Sequence, residues 1–292
     1  MKEGFSCITI VQGDAAYPAL LAQIEGPPKE LYVRGNAALL QTTCFSVVGS
    51  RSVSDYGRRA IELIVPPIAR LFTIVSGMAL GADAMAHCVA LNQGTPTIAV
   101  LGCGVDDDSL YPRSHVSLAH RILDSGGCLV SEYPPGTRAN PIFFPARNRI
   151  VAGLSRGVLI TEAARDSGSM ITARFALDNG RDVFAIPGSI FSPLCEGTND
   201  LLRQGAAPAT CGRDILNALG IEESPMQPQL GLALPPAAQK IYALLTERPL
   251  TVGEIMTRLG DTNMNAIALI SELELAGVVE RRNGKIDVVR HA

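Results

Sequence analysis

Glycines and serines stand directly after the apolar segments that the sequence predicts as strands, and tight turns of this composition suit the binding of a phosphate. The segment "CFSVV", residues 44–48, leads into Gly49, Ser50 and Arg51. Glycine lets backbone N–H groups approach an anion closely, helix N-termini add the positive end of a dipole, and serine hydroxyls can donate hydrogen bonds. Any doubly wound fold also needs small residues at such turns, so each turn alone has a structural alternative. Six predicted strands end in this way, and the candidates are Gly49, Ser50, Arg51, Ser76, Gly77, Ser167, Gly168, Ser169 and Gly188.

Arginine supplies all the permanent positive charge of this region, since residues 42–220 contain fifteen Arg and no Lys. The same residues include fifteen Asp and Glu, so the net charge of the region is zero. A guanidinium group can bind phosphate with two parallel hydrogen bonds and can stack on a base. Arg51 stands in a glycine turn, where a solvated arginine has no structural role, so we interpret it as a phosphate ligand.

A second candidate segment, "FFPARNR" at residues 143–149, combines two aromatic residues with two arginines. Its candidate residues are Phe144, Arg147, Asn148 and Arg149. Aromatic rings beside arginines suit unpaired, stacked bases and the phosphates between them. The alternative is a core position for both phenylalanines and ion pairs for the arginines, with Glu132, Glu162 and Asp166 as the possible partners.

Several function classes lack their signature in this sequence. No G-x-x-x-x-G-K-[ST] loop is present, so ATP hydrolysis by a P-loop is unsupported. Near Gly49 there is neither G-x-G-x-x-G nor an acid about 20 residues further on, as a dinucleotide-dependent oxidoreductase requires. No histidine has an acid or a nucleophile at a sequence spacing that would indicate a catalytic site. We therefore predict no catalytic residue, metal site or cofactor. We interpret Asp106-Asp107-Asp108 as a turn or helix start, and Asp83 and Glu162 as helix caps rather than ribose-binding acids.

Charge and cysteine placement bear on location. The net charge of −3 excludes a general electrostatic attraction to nucleic acid, so a site of that kind must be a local patch. Seven cysteines are scattered without a C-x-x-C pair, which is typical of buried thiols in a reducing compartment. We find neither a signal peptide in "MKEGFSCITI" nor a run of about 18 apolar residues, and we expect a cytoplasmic protein without a membrane span.

Apolar runs alternate with helical stretches from Thr42 onward, which indicates an α/β fold with a doubly wound, mostly parallel sheet covered on both faces. We predict four divisions: a lead-in over 1–41 that packs on the main domain, the main domain over 42–220, a linker over 221–236 and a small domain over 237–292. The lead-in contains a helical turn and the strand "LYVRG". The other predicted strands are "CFSVV", "FTIVS", "TIAVL", "CLVSE", "GVLIT" and "DVFAIP", and the helices cover about 54–70, 81–92, 146–154, 169–179, 198–204 and "RDILNAL".

Three helical segments followed by a hairpin with its turn at Asn283-Gly284 indicate a winged helix in the small domain. The recognition helix would lie within residues 259–280, which contain four acids and no Lys or Arg. A helix that enters a major groove needs positive charge toward the phosphates. The basic residues appear instead in the wing, at Arg281, Arg282 and Lys285. We therefore predict a protein-contact or regulatory module rather than a reader of duplex DNA.

Five ordered motifs resemble those of the DNA-processing protein A (DprA, or Smf) family. They are "GSR" (49–51), "SGMALGAD" (76–83), "FPARNRIVAGLS" (144–155), "DSGSMITARFALDNGRDVFAIPG" (166–188) and "EGTNDLLRQGA" (196–206). The lead-in "YPALLAQIEGPPKELYVRGN" matches as well, and "FPxRNRI" is the most specific segment. The resemblance extends from Tyr17 to about Gly220 and loosely through the C-terminal part.

The resemblance implies that residues 42–220 form an extended Rossmann-like domain that binds single-stranded DNA. In this family the protein protects incoming strands during natural transformation and helps load the RecA recombinase onto them. The resemblance also implies a homodimer formed through the Rossmann-like domain, and a binder rather than an enzyme. By motif match, the strand-contacting residues are Gly49, Ser50, Arg51, Arg147, Asn148, Arg149, Gly168 and Ser169, with Phe144 near the entrance.

The chain departs from the family pattern at two places. Some members carry a basic residue just before the "FP" segment, where this chain has "ANPIF" at residues 139–143, with Arg138 as the nearest substitute. Many members begin with a helical domain of SAM type, and we expect no counterpart here.

The competing function is a Rossmann-like nucleotide phosphoribohydrolase, an enzyme class that shows a P-G-G-x-G-T-x-x-E pattern. The nearest counterpart in this chain is "DSGSMITA", residues 166–173. It has no glutamate after Thr172, so the expected general acid–base is missing.

The charge distribution of the C-terminal part predicts that residues 236–292 alone do not bind duplex DNA tightly. This range contains seven Lys and Arg and seven Asp and Glu, so its net charge is zero and no net positive field attracts the phosphates. A gel shift of this fragment with duplex DNA measures the affinity, with an established duplex-binding winged helix as the positive control. Tight binding by the fragment would contradict the interpretation.

Overall fold

The structure, a computed structural model, describes residues 7–221, 236–259, 265–275, 279–282 and 284–288. The chain divides into two compact units, residues 1–222 and 223–292. Almost the whole linker predicted over 221–236 lies outside the described residues, and so does Asn283 of the predicted hairpin turn.

One sheet forms the centre of the larger unit. Its strands are β1 (Cys7–Val11), β2 (Glu30–Gly35), β3 (Cys44–Val48), β4 (Thr73–Ser76), β5 (Thr97–Leu101), β6 (Cys128–Ser131), β7 (Ser155–Ile160), β8 (Asp182–Ala185) and β9 (Ala207–Pro208). They lie in the order β1-β2-β6-β5-β4-β3-β7-β8-β9. Pairing is parallel from β6 across to β9, whereas β1 with β2 and β2 with β6 are antiparallel. The predicted mostly parallel, doubly wound sheet is confirmed.

The helices of the larger unit follow the strands in alternation. They are α1 (Ala19–Ala22), α2 (Asp55–Ala69), α3 (Ala82–Asn92), α4 (Val116–Asp124), α5 (Phe143–Gly153), α6 (Gly168–Asp178), α7 (Glu196–Arg203) and α8 (Gly212–Ala218). Every residue of β3, β5 and β6 is buried, because helices cover both faces of the sheet. The parallel strands therefore carry continuous apolar runs rather than an alternating pattern.

Two apolar layers hold the helices on the sheet. Val48 of β3 belongs to the same layer as Ile150 of α5 and Ala173 of α6. Its neighbour Val47 lies in the opposite layer with Ile61 of α2, because successive side chains of a strand point to opposite faces. This arrangement fixes the N-termini of α2, α3, α5 and α6 near the edge where the parallel strands end.

The structure adds elements that the sequence pattern did not predict. β1, α4 and β9 were not expected, and α5 begins at Phe143, three residues before the predicted start at Ala146. Pro145 occupies the first turn of α5, where a missing backbone N–H costs nothing. β1 is an edge strand with the apolar sequence CITIV, in which Ile10 is the one buried residue. Residues 7–35 of the predicted lead-in thus supply two strands of the sheet itself.

The smaller unit contains three helices and a hairpin among its described residues. These are α9 (Pro236–Glu247), α10 (Val252–Leu259), α11 (Asn265–Leu275), β10 (Val279–Arg282) and β11 (Lys285–Val288), with the two strands antiparallel. Ile241, Ile255, Ile270 and Ile286 belong to its own apolar core. The predicted winged-helix arrangement is confirmed.

No helix among the described residues is both long and apolar enough to cross a lipid bilayer.

Candidate functional site

A cleft lies at the edge of the sheet where the parallel strands β3 to β8 end, which we call the rim. Chain order reverses there, since β3 pairs with β4 on one side and with β7 on the other. Ligands of open α/β sheets bind at this reversal, outside the carboxyl ends of the strands. The cleft has a volume of about 620 Å³, which suits a nucleotide-sized ligand.

Ten of the thirteen residues predicted to bind DNA or phosphate come together around the cleft. They are Gly49, Ser50, Arg51, Gly77, Phe144, Arg147, Asn148, Ser167, Gly168 and Ser169. They come from four separate stretches of chain: the loop after β3, the loop after β4, the first two turns of α5, and the end of the loop after β7 with the first turn of α6. The other three predicted residues do not line it.

The loop after β3 is packed tightly against the first turn of α3. The backbone N–H of Ala82 donates to the Ser50 carbonyl at 3.0 Å. A Cβ at Gly49 would clash with the Thr161 hydroxyl and with the Ala82 methyl group, so only glycine lets the loop lie this close. The Ser50 hydroxyl accepts from the Ser52 N–H at 3.1 Å, which holds the loop in shape and leaves its O–H available as a donor. Gly49 and Ser50 therefore shape the loop that presents Arg51.

Arg51 is an exposed cation at the mouth of the cleft. Its guanidinium carbon lies 5.8 Å from the centre of the Phe144 ring. Among the described residues it has no hydrogen-bond or ion-pair partner. A cation over an aromatic face, with its donors unoccupied, is well placed to bind an incoming phosphate.

Arg147 is also a cleft residue, but its guanidinium group is deeply buried, with 4% of the residue exposed. Nη1 donates to the backbone carbonyls of Gly77, after β4, and Val100, in β5. Nε has no hydrogen-bond partner among the described residues. Burial lowers the pKa of Arg147, and the negative charge of nearby Asp83 opposes that decrease. The side chain thus ties the ends of two neighbouring strands to α5.

Asp83, in the first turn of α3, is the buried countercharge of Arg147. One of its oxygens, Oδ2, accepts from the backbone N–H groups of Gly77 at 3.1 Å and Ala79 at 3.3 Å. Burial raises the pKa of Asp83, and the guanidinium charge of Arg147 opposes that rise. A Cβ at Gly77 would clash with both side chains, so this position requires glycine.

The N-terminus of α6 forms the opposite side of the cleft. Ser167 caps the helix by accepting from the Ser169 N–H at 3.3 Å, and the two hydroxyls lie 2.6 Å apart. The Asn148 amide donates to the Gly168 carbonyl at 3.0 Å, which holds α5 and α6 together at this point. A Cβ at Gly168 would meet no atom within 4 Å, so the glycine leaves the cleft open beside the positive end of the helix.

Aromatic rings line the other end of the cleft. Phe144 contacts Tyr111, from the loop between β5 and α4, with ring centres 5.6 Å apart. Phe143 stacks on Tyr133 with ring centres 4.1 Å apart. Both phenylalanines are partly exposed, so their alternative assignment to the core is wrong. Tyr111 was missed at the sequence level, although it follows the glycine turn after β5 and its aromatic ring beside Pro112 was the available signal.

Ser76, Arg149 and Gly188 are placed away from the cleft lining by their own contacts. The buried Ser76 hydroxyl donates to the Val47 carbonyl at 2.6 Å. Arg149 forms an ion pair with Glu132 at 2.6 Å, one of the pairs considered as an alternative from sequence. The backbone N–H of Gly188 donates to the Asn199 amide oxygen at 3.2 Å. Each contact joins two elements of the fold, so a direct role of these residues in binding stays a prediction.

The carboxylates near the rim accept hydrogen bonds from nearby backbone and side-chain groups and form ion pairs with nearby cations. Glu162 accepts from the Ser54 N–H at 2.9 Å and from the Ser54 hydroxyl at the start of α2. Asp106 accepts from the Gly136 N–H at 2.6 Å, and Asp107 binds Arg34 and His120. Among the described residues no group of three or more His, Cys, Asp or Glu is arranged to hold a metal ion.

The described part of the winged helix adds one contact that bears on duplex binding. Arg281 of the wing forms an ion pair with Glu274 of α11 at 3.2 Å, so part of its charge is neutralised within the unit. α11 exposes Ile267, Ser271 and Glu272 and contains no Lys or Arg. These features agree with the prediction of a module that contacts protein, which stays a prediction.

Comparison with known proteins identifies the family. A family model described as DNA recombination-mediator protein A matches residues 8–220, and the DprA winged helix domain matches residues 223–285. DNA processing protein DprA of Streptococcus pneumoniae is 43% identical over 203 residues, covering 70% of this chain and 71% of that protein. Protein Smf of Escherichia coli is 40% identical over 272 residues, covering 89% of this chain and 72% of that protein. The resemblance drawn from the sequence motifs is confirmed.

Solved structures give the same answer. The crystal structure of DNA processing protein A from Streptococcus pneumoniae has a TM-score of 0.68 at 42% identity, covering 72% of this chain and 73% of that one. A structure of DNA processing protein A from Helicobacter pylori, which concerns its unique single-stranded DNA binding mode, has a TM-score of 0.66 at 31% identity. That match covers 75% of this chain and 98% of the other.

Arg147 and Arg51 line the same cleft but differ in burial, and we predict that only the loss of Arg147 lowers stability. Arg147→Ala should destabilise the larger unit by about 3 kcal/mol, because it leaves the buried carboxylate of Asp83 without its countercharge. Arg51→Ala should leave the free energy of unfolding within about 0.5 kcal/mol of wild type, because its side chain is exposed. Urea unfolding followed by circular dichroism measures both. Equal stability of the two variants would contradict the structural role of Arg147.

Proposed function

The chain belongs to the DNA recombination-mediator protein A (DprA/Smf) family, and on that premise we propose that its cleft binds single-stranded DNA. The observation that carries the proposal is the arrangement around Arg51. This exposed cation, which has no hydrogen-bond or ion-pair partner in the part of the chain that the structure describes, lies over the Phe144 ring and lines the same cleft as Tyr111 and the N-terminus of α6. The same cleft therefore offers donors for a phosphate and aromatic rings for a base.

The aromatic side of the cleft favours a single strand over a duplex. Phe144 and Tyr111 are partly exposed, and bases can stack on such rings only when they are not paired and stacked in a helix. Each base stacked on an aromatic side chain contributes about 1–3 kcal/mol, largely independent of sequence. The Helicobacter pylori relative, 31% identical, is described by its single-stranded DNA binding mode, which supports the same ligand class here.

The wider role that we propose follows from family membership. The protein protects incoming single strands and loads the RecA recombinase onto them in natural transformation and DNA recombination. It acts in the cytoplasm as a homodimer formed through the Rossmann-like domain, residues 42–220, with the winged-helix domain joined to it by the linker over 221–236. Seven cysteines without a disulfide support the reducing compartment.

We propose a binding protein rather than an enzyme. The phosphoribohydrolase alternative needs a general acid–base near the start of α6, and the chain has no glutamate after Thr172. The acids close to the rim are engaged elsewhere, since Glu162 binds Ser54 and Asp83 binds backbone N–H groups. Neither carboxylate is free to move a proton at the cleft.

The proposed function predicts tighter binding to single-stranded than to duplex DNA. Fluorescence anisotropy with labelled oligonucleotides of the two kinds, over a series of salt concentrations, measures both affinities. The affinity for the single strand should fall with salt, with a logarithmic slope of about −0.7 for each phosphate that is neutralised. Equal affinity for both forms, or binding that does not respond to salt, would contradict the proposal.

Arg51 should be the most important cationic side chain for binding, and Arg51→Ala should weaken it by about 1–3 kcal/mol through the loss of charge-assisted hydrogen bonds. Arg51→Lys should fall between alanine and wild type, because lysine keeps the charge and loses the planar fork. Arg59→Ala is the matched control, since Arg59 is equally an exposed arginine but lies on α2 outside the cleft lining. Unchanged affinity of a folded Arg51→Ala protein would remove this residue from the site.

A further inference from the structure

The glycine turn between β4 and α3 has the geometry of an anion-binding site. A strand, a glycine turn and a helix N-terminus follow one another over residues 73–82. Met78 has a left-handed backbone conformation with φ 58°, which is uncommon for a residue other than glycine, and the N–H groups of Gly77 and Ala79 point at one common acceptor. Backbone N–H groups that converge in this way before a helix form a concavity that suits a phosphate.

The anion at this turn is a side chain of the protein itself. Oδ2 of Asp83, in the first turn of α3, accepts from both converging N–H groups, that of Gly77 at 3.1 Å and that of Ala79 at 3.3 Å. Asp83 is 6% exposed and lines the cleft together with Gly77 and Ala79. Its carboxylate therefore takes the two donors that the phosphate of a ligand would need.

A buried cation lies next to the same turn. Nη1 of Arg147 donates to the Gly77 carbonyl, and Nε has no hydrogen-bond partner among the described residues. Asp83 supplies the opposite charge, and a Cβ at Gly77 would clash with both side chains. Removal of the carboxylate would thus leave two free N–H groups and an uncompensated guanidinium group in the cleft wall, which together attract an anion.

Other positions in the cleft lining stay open to a phosphate. Arg51 is exposed and has no hydrogen-bond or ion-pair partner in the described ranges. The first turn of α6 contains no acidic residue, and a Cβ at Gly168 would meet no atom within 4 Å. The carboxylate of Asp83 therefore closes one anion position of the cleft, at the end of β4, and leaves those at Arg51 and α6 available.

We propose that Asp83 is a specificity-determining residue, whose carboxylate keeps the phosphate of a free nucleotide out of the turn after β4 and so reserves the cleft for a strand. A terminal phosphate carries a charge of about −2, whereas each phosphate within a strand carries one negative charge, so a fixed carboxylate repels the free nucleotide more strongly. This inference rests on the proposed function, since it concerns the selectivity of the same cleft.

The response of stability to phosphate tests the inference. Thermal unfolding of the full chain is measured in phosphate and in chloride of equal ionic strength, so that screening of surface charges is matched. Asp83→Ala frees the two N–H groups, and phosphate should bind there and raise the Tm of this variant more than that of wild type. A variant that folds only in phosphate would show the same effect in its strongest form. If phosphate raises both Tm values equally, the inference is wrong.

Asp214→Ala is the matched control. Asp214 also lies in the first turn of a helix, α8, and its Oδ2 accepts from two backbone N–H groups, those of Thr210 at 2.7 Å and Cys211 at 3.1 Å. It does not line the cleft. The phosphate response of this variant should stay at the wild-type level. A response as large as that of Asp83→Ala would mean that any freed helix N-terminus binds phosphate, which would overturn the assignment.

Asp83→Asn separates the charge from the side-chain oxygen. It keeps an oxygen that can accept from Gly77 and Ala79 and removes the negative charge, so its phosphate response should lie between those of wild type and Asp83→Ala. This variant decides the question if Asp83→Ala does not fold in either buffer. A wild-type response of folded Asp83→Asn would then count against the inference.

Competition connects the inference to strand binding. A labelled oligothymidylate bound to the full chain is titrated with thymidine 5′-monophosphate, and with thymidine as the competitor that lacks the phosphate. The monophosphate should displace the strand from Asp83→Ala at a concentration about tenfold lower than from wild type, on the scale of charge-assisted hydrogen bonds. Thymidine should not distinguish the two proteins. Equal displacement by the monophosphate would contradict a role of Asp83 in selectivity.

The outcomes for the two proposals can be told apart. If the wild-type protein does not prefer single strands, the proposed function fails, and the phosphate responses of the Asp83 variants are still measured. If it does prefer them and the Asp83 variants respond to phosphate and to the monophosphate as wild type does, only the assignment of Asp83 fails.

Discussion

The burial of one guanidinium group, that of Arg147, fixes the geometry on which the cleft depends. A buried charge is costly unless it is paired and hydrogen-bonded. Here the Gly77 and Val100 carbonyls accept its hydrogen bonds, and Asp83 supplies the opposite charge. Gly77 must be glycine because a Cβ would overlap both charged side chains. Four elements, β4, β5, α3 and α5, are therefore joined at a single point in the wall of the cleft.

The three arginines that the sequence presented as equivalent candidates have three different roles. Arg51 is exposed at the cleft mouth and has no ion-pair partner among the described residues, Arg147 is buried and hydrogen-bonded to two strand ends, and Arg149 is paired with Glu132. The difference comes from the elements that carry them. Arg51 lies in a loop, whereas Arg147 and Arg149 project from different sides of α5, toward the sheet and toward Glu132 respectively. Binding affinity and stability are thus assigned to different residues of the same type.

Much of the fold could be predicted because the parallel strands are buried on both faces. Segments such as "CFSVV" and "TIAVL" are continuous apolar runs bounded by turn residues, and all of their residues are buried in the structure. β1 was not predicted although CITIV is a similar apolar run, and its position at the edge of the sheet leaves four of its five residues exposed. Tyr111 was not predicted as a cleft residue because nine residues separate it from the end of β5, and its aromatic ring beside Pro112 does not by itself show that the loop returns to the rim.

The sequence by itself determined the parallel sheet, the rim where its strands end, the family, and ten residues of the cleft, because these depend on local pattern and on where each strand ends. Only the tertiary structure decided which of those residues are free to meet a ligand. Arg147 looks like a ligand in the sequence, but its Nη1 donates to the Gly77 and Val100 carbonyls, which are distant along the chain. Such contacts arise when separate strands and helices converge, so residue types and spacing cannot specify them, and the same convergence leaves Arg51 and Tyr111 open to a strand.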